Sequence, residues 1–150
     1  MTFRQIRSGT LIGLVSGTLL GLFLKWMQVL TGIKVYVLLL NVDFIPGFGN
    51  KDLPEWMEFL FHLVISCVIG VVFVYLMERL KVSSSGSWLL SLVLTVPTVF
   101  LYFPLSYLAI KDVPGLMYGE AIFLWTAGHM LYALSLPPLY HLSSARGSST

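Results

Sequence analysis

Gly9, Gly13, Gly17 and Gly21 recur at a strict spacing of four within one apolar run, Gly9–Leu30, and Lys25 is the next member of the row. Residues four apart on an α-helix lie almost above one another, drifting about 40° per step. The segment therefore reads as a helix with a ridge bare of side chains that ends in one positive charge. In water each glycine would cost such a helix about 1 kcal/mol relative to alanine. In a membrane the same row admits a second helix to backbone packing distance. The chain reads as this helix and its partners.

Composition supports that setting. Of 150 residues, 57% are hydrophobic and 11% charged, and the mean hydropathy is +0.86. Soluble domains carry about 25% charged residues, so lipid is expected to solvate much of this chain. A net charge of +2 and the lack of a basic run argue against nucleic acid as a partner. Cys67 is the only cysteine, which excludes an intrachain disulfide, a Cys-cluster zinc site and thiol–quinone chemistry. Arg4 and Arg7 precede the first apolar run as in a signal sequence. No small-residue cleavage site follows, the first alanine being Ala109, so the run is expected to stay as an uncleaved membrane helix.

Four segments are long enough to cross about 30 Å of hydrocarbon. They are 9–30, 56–77, 88–110 and 115–136, the last stopped by Pro137 and Pro138. The expected fold is an all-α membrane protein, an antiparallel bundle of four transmembrane helices within residues 1–142, followed by a short polar tail, 143–150. Lys and Arg at the segment ends favour both termini inside: Arg4, Arg7, Arg79, Lys81 and Arg146 against Lys34, Lys51 and Lys111. Ser83-Ser84-Ser85-Gly86-Ser87 reads as an inner turn with a serine cap. Pro97 and Pro104 are expected to bend the third span.

One long outer loop, residues 31–55, joins the first two spans. It opens with Val35–Val42, too short to span, and continues through Phe44-Ile45-Pro46-Gly47-Phe48-Gly49-Asn50. The apolar piece reads either as an interfacial or re-entrant segment or as a strand-like cap on the bundle.

The second span carries its own row at spacing four: Glu58, His62, Ser66 and Gly70, ending at Glu78. If the first two spans are antiparallel, the two small-residue ridges face each other, and Lys25 comes level with Glu58 and His62. Glu120 lies near the outer end of the fourth span. Lys25, His62, Glu120 and Glu58 thus form an expected outer polar cluster, with Lys25 either buried in a pair or snorkelling to the headgroups. His129 is nine residues from Glu120, on the opposite side of its helix, and needs another partner, for which the row Ser87, Ser91, Thr95 is available. His62 and His129 count to different depths, which argues against bis-histidine haem. No cofactor and no metal site is expected.

No nucleotide loop, hydrolase elbow or His-Glu-x-x-His is present. Ser66 with His62 is the one nucleophile–base spacing on offer, and in a helix that pair is first a packing hydrogen bond. No catalytic residue is assigned.

Leu11-Ile12-Gly13-Leu14-Val15-Ser16-Gly17 followed by Lys25-Trp26 resembles the first helix of the YagU-like bacterial inner-membrane proteins. His62 with Ser66 through Tyr75 to Glu78 resembles that family's second-helix motif, and Gly128-His129 its Gly-His motif. The acidic residue that follows Lys-Trp in the family is absent, Gln28 lying near its place, and Glu120 is further from the Gly-His than the family's glutamate. The resemblance implies a multi-pass protein of the bacterial inner membrane associated with acid resistance.

Two functions compete. A proton-responsive acid-stress protein would use the polar cluster, because histidine changes charge between about pH 5 and 8. A non-catalytic assembly subunit would use the glycine ridge to bind a second copy or another membrane protein. A small membrane enzyme has the weakest basis.

Overall fold

The computed structural model describes residues 1–44 and 53–147, with side chains through residue 144. Among the described residues every regular element is helical. Residues 45–52 of the expected outer loop and 148–150 of the expected tail lie outside the described residues.

Helix α1 runs Phe3–Thr31, six residues earlier than the apolar run itself because a capping box starts it. Thr2 accepts from the Gln5 amide and Gln5 returns a bond to the Thr2 amide, so two otherwise orphaned donors are met. Gly32 ends α1 in the left-handed region, φ 73°, where a Cβ would be strained. The next element is α2, Val35–Leu39, with Val35, Tyr36 and Leu38 buried. The carboxamide Oε1 of Gln28 accepts from the amides of Tyr36 and Val37, at 3.0 and 3.1 Å. The apolar piece is thus a short buried helix capped from α1, and its strand-like alternative is corrected.

Helix α3 spans Glu55–Arg79. Ser83 caps α4, Ser84–Phe100, by accepting from the Gly86 amide. Pro97 lies inside α4 without ending it. The break comes at Leu101, after which α5 runs Tyr102–Leu108. Pro104 cannot donate to the Phe100 carbonyl, which places the break just ahead of it. The indole Nε1 of Trp125 donates to the nearby Val99 carbonyl at 3.0 Å.

The last helix, α6, spans Gly119–Gly147. The expectation of a span over 115–136, ended by the two prolines and followed by a loose tail, is therefore corrected at both ends. Pro137 and Pro138 remove two ladder bonds, yet Leu136 and Pro137 are fully buried, and packing holds the helix through them.

Helices α1, α3 and the α4–α5 stretch (Ser84–Leu108) are each long and apolar enough to cross a membrane. α6 is as long as α1, but Thr126, Gly128, His129, Ser135 and the two prolines dilute its apolar content, and it is not among them.

α1 and α3 are antiparallel. Arg4 and Gln5 meet Glu78 at one end, both at 2.9 Å, and Lys25 meets Glu55 at the other, at 2.6 Å. The glycine ridge lies between them. A Cβ on Gly13 would strike the Ser66 carbonyl and the Cys67 Cα, and one on Gly9 the backbone of Gly70 and Val71. Gly70 is held in the same way by Gly9 and Gly13. Gly17 lies against the Ser66 side chain and Gly21 against the Phe59 ring. The expectation that the two small-residue ridges face each other holds, and the ridge is occupied within the chain.

A second row on α1, Ile12, Ser16, Leu20 and Leu24, is buried and faces α6. Ser135 Oγ donates to Ser16 Oγ at 2.7 Å, and Leu20 and Leu24 reach the space a side chain would fill at Gly128. The remaining stripe, Leu11, Val15, Leu22, Trp26 and Val29, is exposed, as a lipid-facing surface requires.

Candidate functional site

A cavity of about 320 Å³ opens among α3, α5, α6 and the segment that follows α2. Its walls are largely aliphatic: Leu20, Leu39, Leu40, Ile65, Ile69, Leu101 and Leu105. Glu58, His62 and Ser66 line it from α3, Trp125, His129 and Tyr132 from α6, and Asn41 from the chain beyond α2. An apolar hollow with a few convergent polar groups is the usual form of a small-molecule site.

The histidines come from different helices. His62 Nε2 faces the Gly17 carbonyl at 3.0 Å, and His129 Nδ1 faces the Trp125 carbonyl at 2.8 Å. A ring nitrogen held to a carbonyl carries the proton, so the other nitrogen of each neutral ring holds a lone pair. Trp125 lies beside His129 with ring centroids 4.5 Å apart. Tyr132 donates to the Ser66 carbonyl at 2.9 Å, across the α3–α6 gap. His62 and His129 line one cavity, so the expected difference in depth is corrected. α6 begins at Gly119 rather than Gly115, which moves His129 about one turn closer to its helix start.

Glu58, on the α3 wall of the cavity, is held by an ion pair. Lys111, in the connection between α5 and α6, pairs with Glu58, the side chains being 30% and 10% exposed. The carboxylate of Asp43 accepts from the amides of Ile110 and Lys111 at 2.9 and 2.6 Å, which anchors this connection to the segment after α2. The Asp43 amide in turn donates to Asn41 Oδ1 at 3.1 Å. Asn41 Nδ2 and Asp43 Oδ1 are buried without a partner among the described residues.

The expected four-residue cluster does not assemble. Glu58 and His62 do come to one site. Lys25 instead pairs with Glu55, both side chains about half exposed, and lies 5.3 Å over the Tyr36 ring. Glu120 is exposed and accepts from the Tyr118 hydroxyl at 3.2 Å. Counting by depth could not give the azimuth of Lys25, and Glu55, one turn nearer the start of α3 than Glu58, takes the ammonium. His129 does not use the row Ser87, Ser91, Thr95. Those hydroxyls are buried and donate to carbonyls of their own helix, making a smooth α4 face against α6.

Asn41, Asp43, Lys111, Trp125 and Tyr132 were not picked out by sequence reasoning. The signal for the first two was two polar residues closing the apolar run Val35–Val42, and for Trp125 its place four residues before His129. Among the described residues no group of three or more His, Cys, Asp or Glu side chains is placed to hold a metal.

The fold and site together define an all-helical protein with three helices able to cross a membrane and a histidine-lined cavity. Compared with family models, curated proteins and solved structures, the chain gives no match.

Proposed function

We propose that this is a proton-responsive membrane protein, with α6 completing a four-span bundle in a bacterial inner membrane, both termini inside, and a place among YagU-like acid-resistance proteins. The observation that carries the proton response is the shared cavity of His62 and His129, each with one nitrogen fixed by a backbone carbonyl and the other left with a lone pair. Histidine is the side chain whose ordinary charge change lies nearest physiological pH.

The charged groups about the cavity define the response. α3 supplies Glu58, the α5–α6 connection supplies Lys111, and the segment after α2 supplies Asp43. α1, α4 and α5 contribute Leu20, Thr98, Leu101 and Leu105, which carry no charge. A proton taken up by His62 places a cation one helical turn from Glu58 on the same face. It then competes with Lys111 for that carboxylate, and the α5–α6 connection loosens.

The test is Trp125 emission in proteoliposomes, with Trp26, Trp56 and Trp88 replaced by Phe. Protonated imidazole quenches an adjacent indole. An external acid step should lower Trp125 emission reversibly, and His129→Gln should remove the change. Emission that ignores the step in the parent protein contradicts the reading. The glycine ridge gives no separate argument for an assembly partner, because α3 occupies it.

A further inference from the structure

We propose that the cavity binds a single-chain carboxylic acid from the lipid phase, its carboxyl head at Asn41 and the imidazoles and its chain along the aliphatic wall. This assigns a ligand to the site of the proton response and rests on that reading for the role of the histidines.

The polar complement of the cavity is specific. Asn41 is 3% exposed and its Nδ2 has no acceptor among the described residues. A buried donor left unmet costs about 1–3 kcal/mol, and a carbonyl oxygen from a ligand would meet it. The imidazoles contribute the converse, because their N–H groups are held by the Gly17 and Trp125 carbonyls and their remaining nitrogens accept. A head group that accepts from Asn41 and donates to an imidazole nitrogen satisfies both. A neutral carboxyl carries both functions on one carbon, and its proton can pass to the imidazole without leaving the site.

The rest of the cavity suits a hydrocarbon chain. Ile69, Leu101 and Leu105 line it, and the volume of about 320 Å³ is at the small end of ligand pockets, which favours one chain over a two-chain lipid. The way in lies on the lipid side. Phe61, Val64 and Ile65 of α3 line the cavity while remaining 38%, 51% and 56% exposed, and α3 leans on α1 far more than on α4.

Trp125 provides the readout, being 1% exposed yet part of the cavity wall. The variant retaining Trp125 alone is titrated at constant pH with 4,5-dibromododecanoic acid, whose bromines lie near the carboxyl head, beside His129 and hence Trp125, and quench indole on contact. Phospholipid brominated on its acyl chains reports quenching from bulk lipid. Saturable quenching by the acid, with little from the phospholipid, is the expected result. Asn41→Leu should raise the half-saturating concentration at least about tenfold, the equivalent of about 1.4 kcal/mol. Ile69→Phe, which narrows the chain channel and leaves Asn41 in place, should do the same and covers the case in which Asn41→Leu fails to fold. Absent or non-saturable quenching, equal quenching by the phospholipid, or unchanged half-saturation in either folded variant overturns the proposal. The acid-step response measured without added ligand stands or falls separately, so failure of the ligand assignment is distinguishable from failure of the proton response.

Discussion

The ammonium of Lys111, in the connection between α5 and α6, is paired with the carboxylate of Glu58, one turn before His62 on α3. The pair ties the α5–α6 connection to the α3 wall of the histidine cavity, and its members are unequal. Glu58 is nearly buried, whereas Lys111 keeps about a third of its side chain exposed.

That inequality predicts an order of effects. Lys111→Met strands a buried carboxylate, for which the loss from a broken buried pair is about 3–5 kcal/mol. Access to water from the Lys111 side reduces this to about 2–3 kcal/mol. Glu58→Gln leaves a lysine that can turn to solvent and should cost about 1 kcal/mol or less. Reversible unfolding in mild detergent, comparing both variants with the parent, measures the order. Equal losses would mean the pair contributes as a surface contact.

The glycine ridge makes a graded prediction. At Gly13 an added methyl meets backbone atoms of Ser66 and Cys67, which cannot step aside, whereas at Gly21 it meets the edge of the Phe59 ring. Overpacking costs about 1–3 kcal/mol. Gly13→Ala should fall at the upper end and Gly21→Ala near or below the lower. Thermal melts of the two proteins check this, and a larger loss at Gly21 would contradict the packing of α1 on α3.

Alkaline stability should report on Tyr36 of α2. Burial foremost, and then its hydrogen bond to Glu55, raise the Tyr36 phenol above the usual tyrosine range. A folded value above the unfolded one gives stability that is complete below about pH 10 and is lost as pH climbs toward the folded value. Denaturant midpoints should therefore be level up to about pH 10 and fall above it. Tyr36→Phe should flatten that fall.

The helices and their pairing were legible because spacing by four carries both ridges. Gly9, Gly13, Gly17 and Gly21 on one side and Ser66 and Gly70 on the other require close approach, and the structure brings them together. The polar site was legible only in part. Glu58 and His62 share a face of one helix, so their register could be read directly. Lys25 needed a direction around α1 as well as a depth, and Glu55 lies nearer to it. The contributions of Asn41, Asp43 and Lys111 come from connections, whose paths no periodicity encodes. The prolines misled for a related reason. Pro137 and Pro138 argue locally for a helix end, while burial of Leu136 and Pro137 keeps α6 continuous.

The measurement closest to the central claim is the distance between spin labels on Leu60 of α3 and Met117 of the α5–α6 connection, both exposed. Cys67 is replaced by serine so that only those sites are labelled, and the protein is kept in lipid. A step from about pH 7.5 to about pH 4.5 crosses the range in which histidine gains its charge. If a protonated His62 draws Glu58 from Lys111, the distance should lengthen by several ångströms on acidification and recover on return. Lys111→Met should show the longer distance already at neutral pH, and His62→Gln should hold the shorter one throughout. A parent protein whose distance is the same at both pH values would contradict the account.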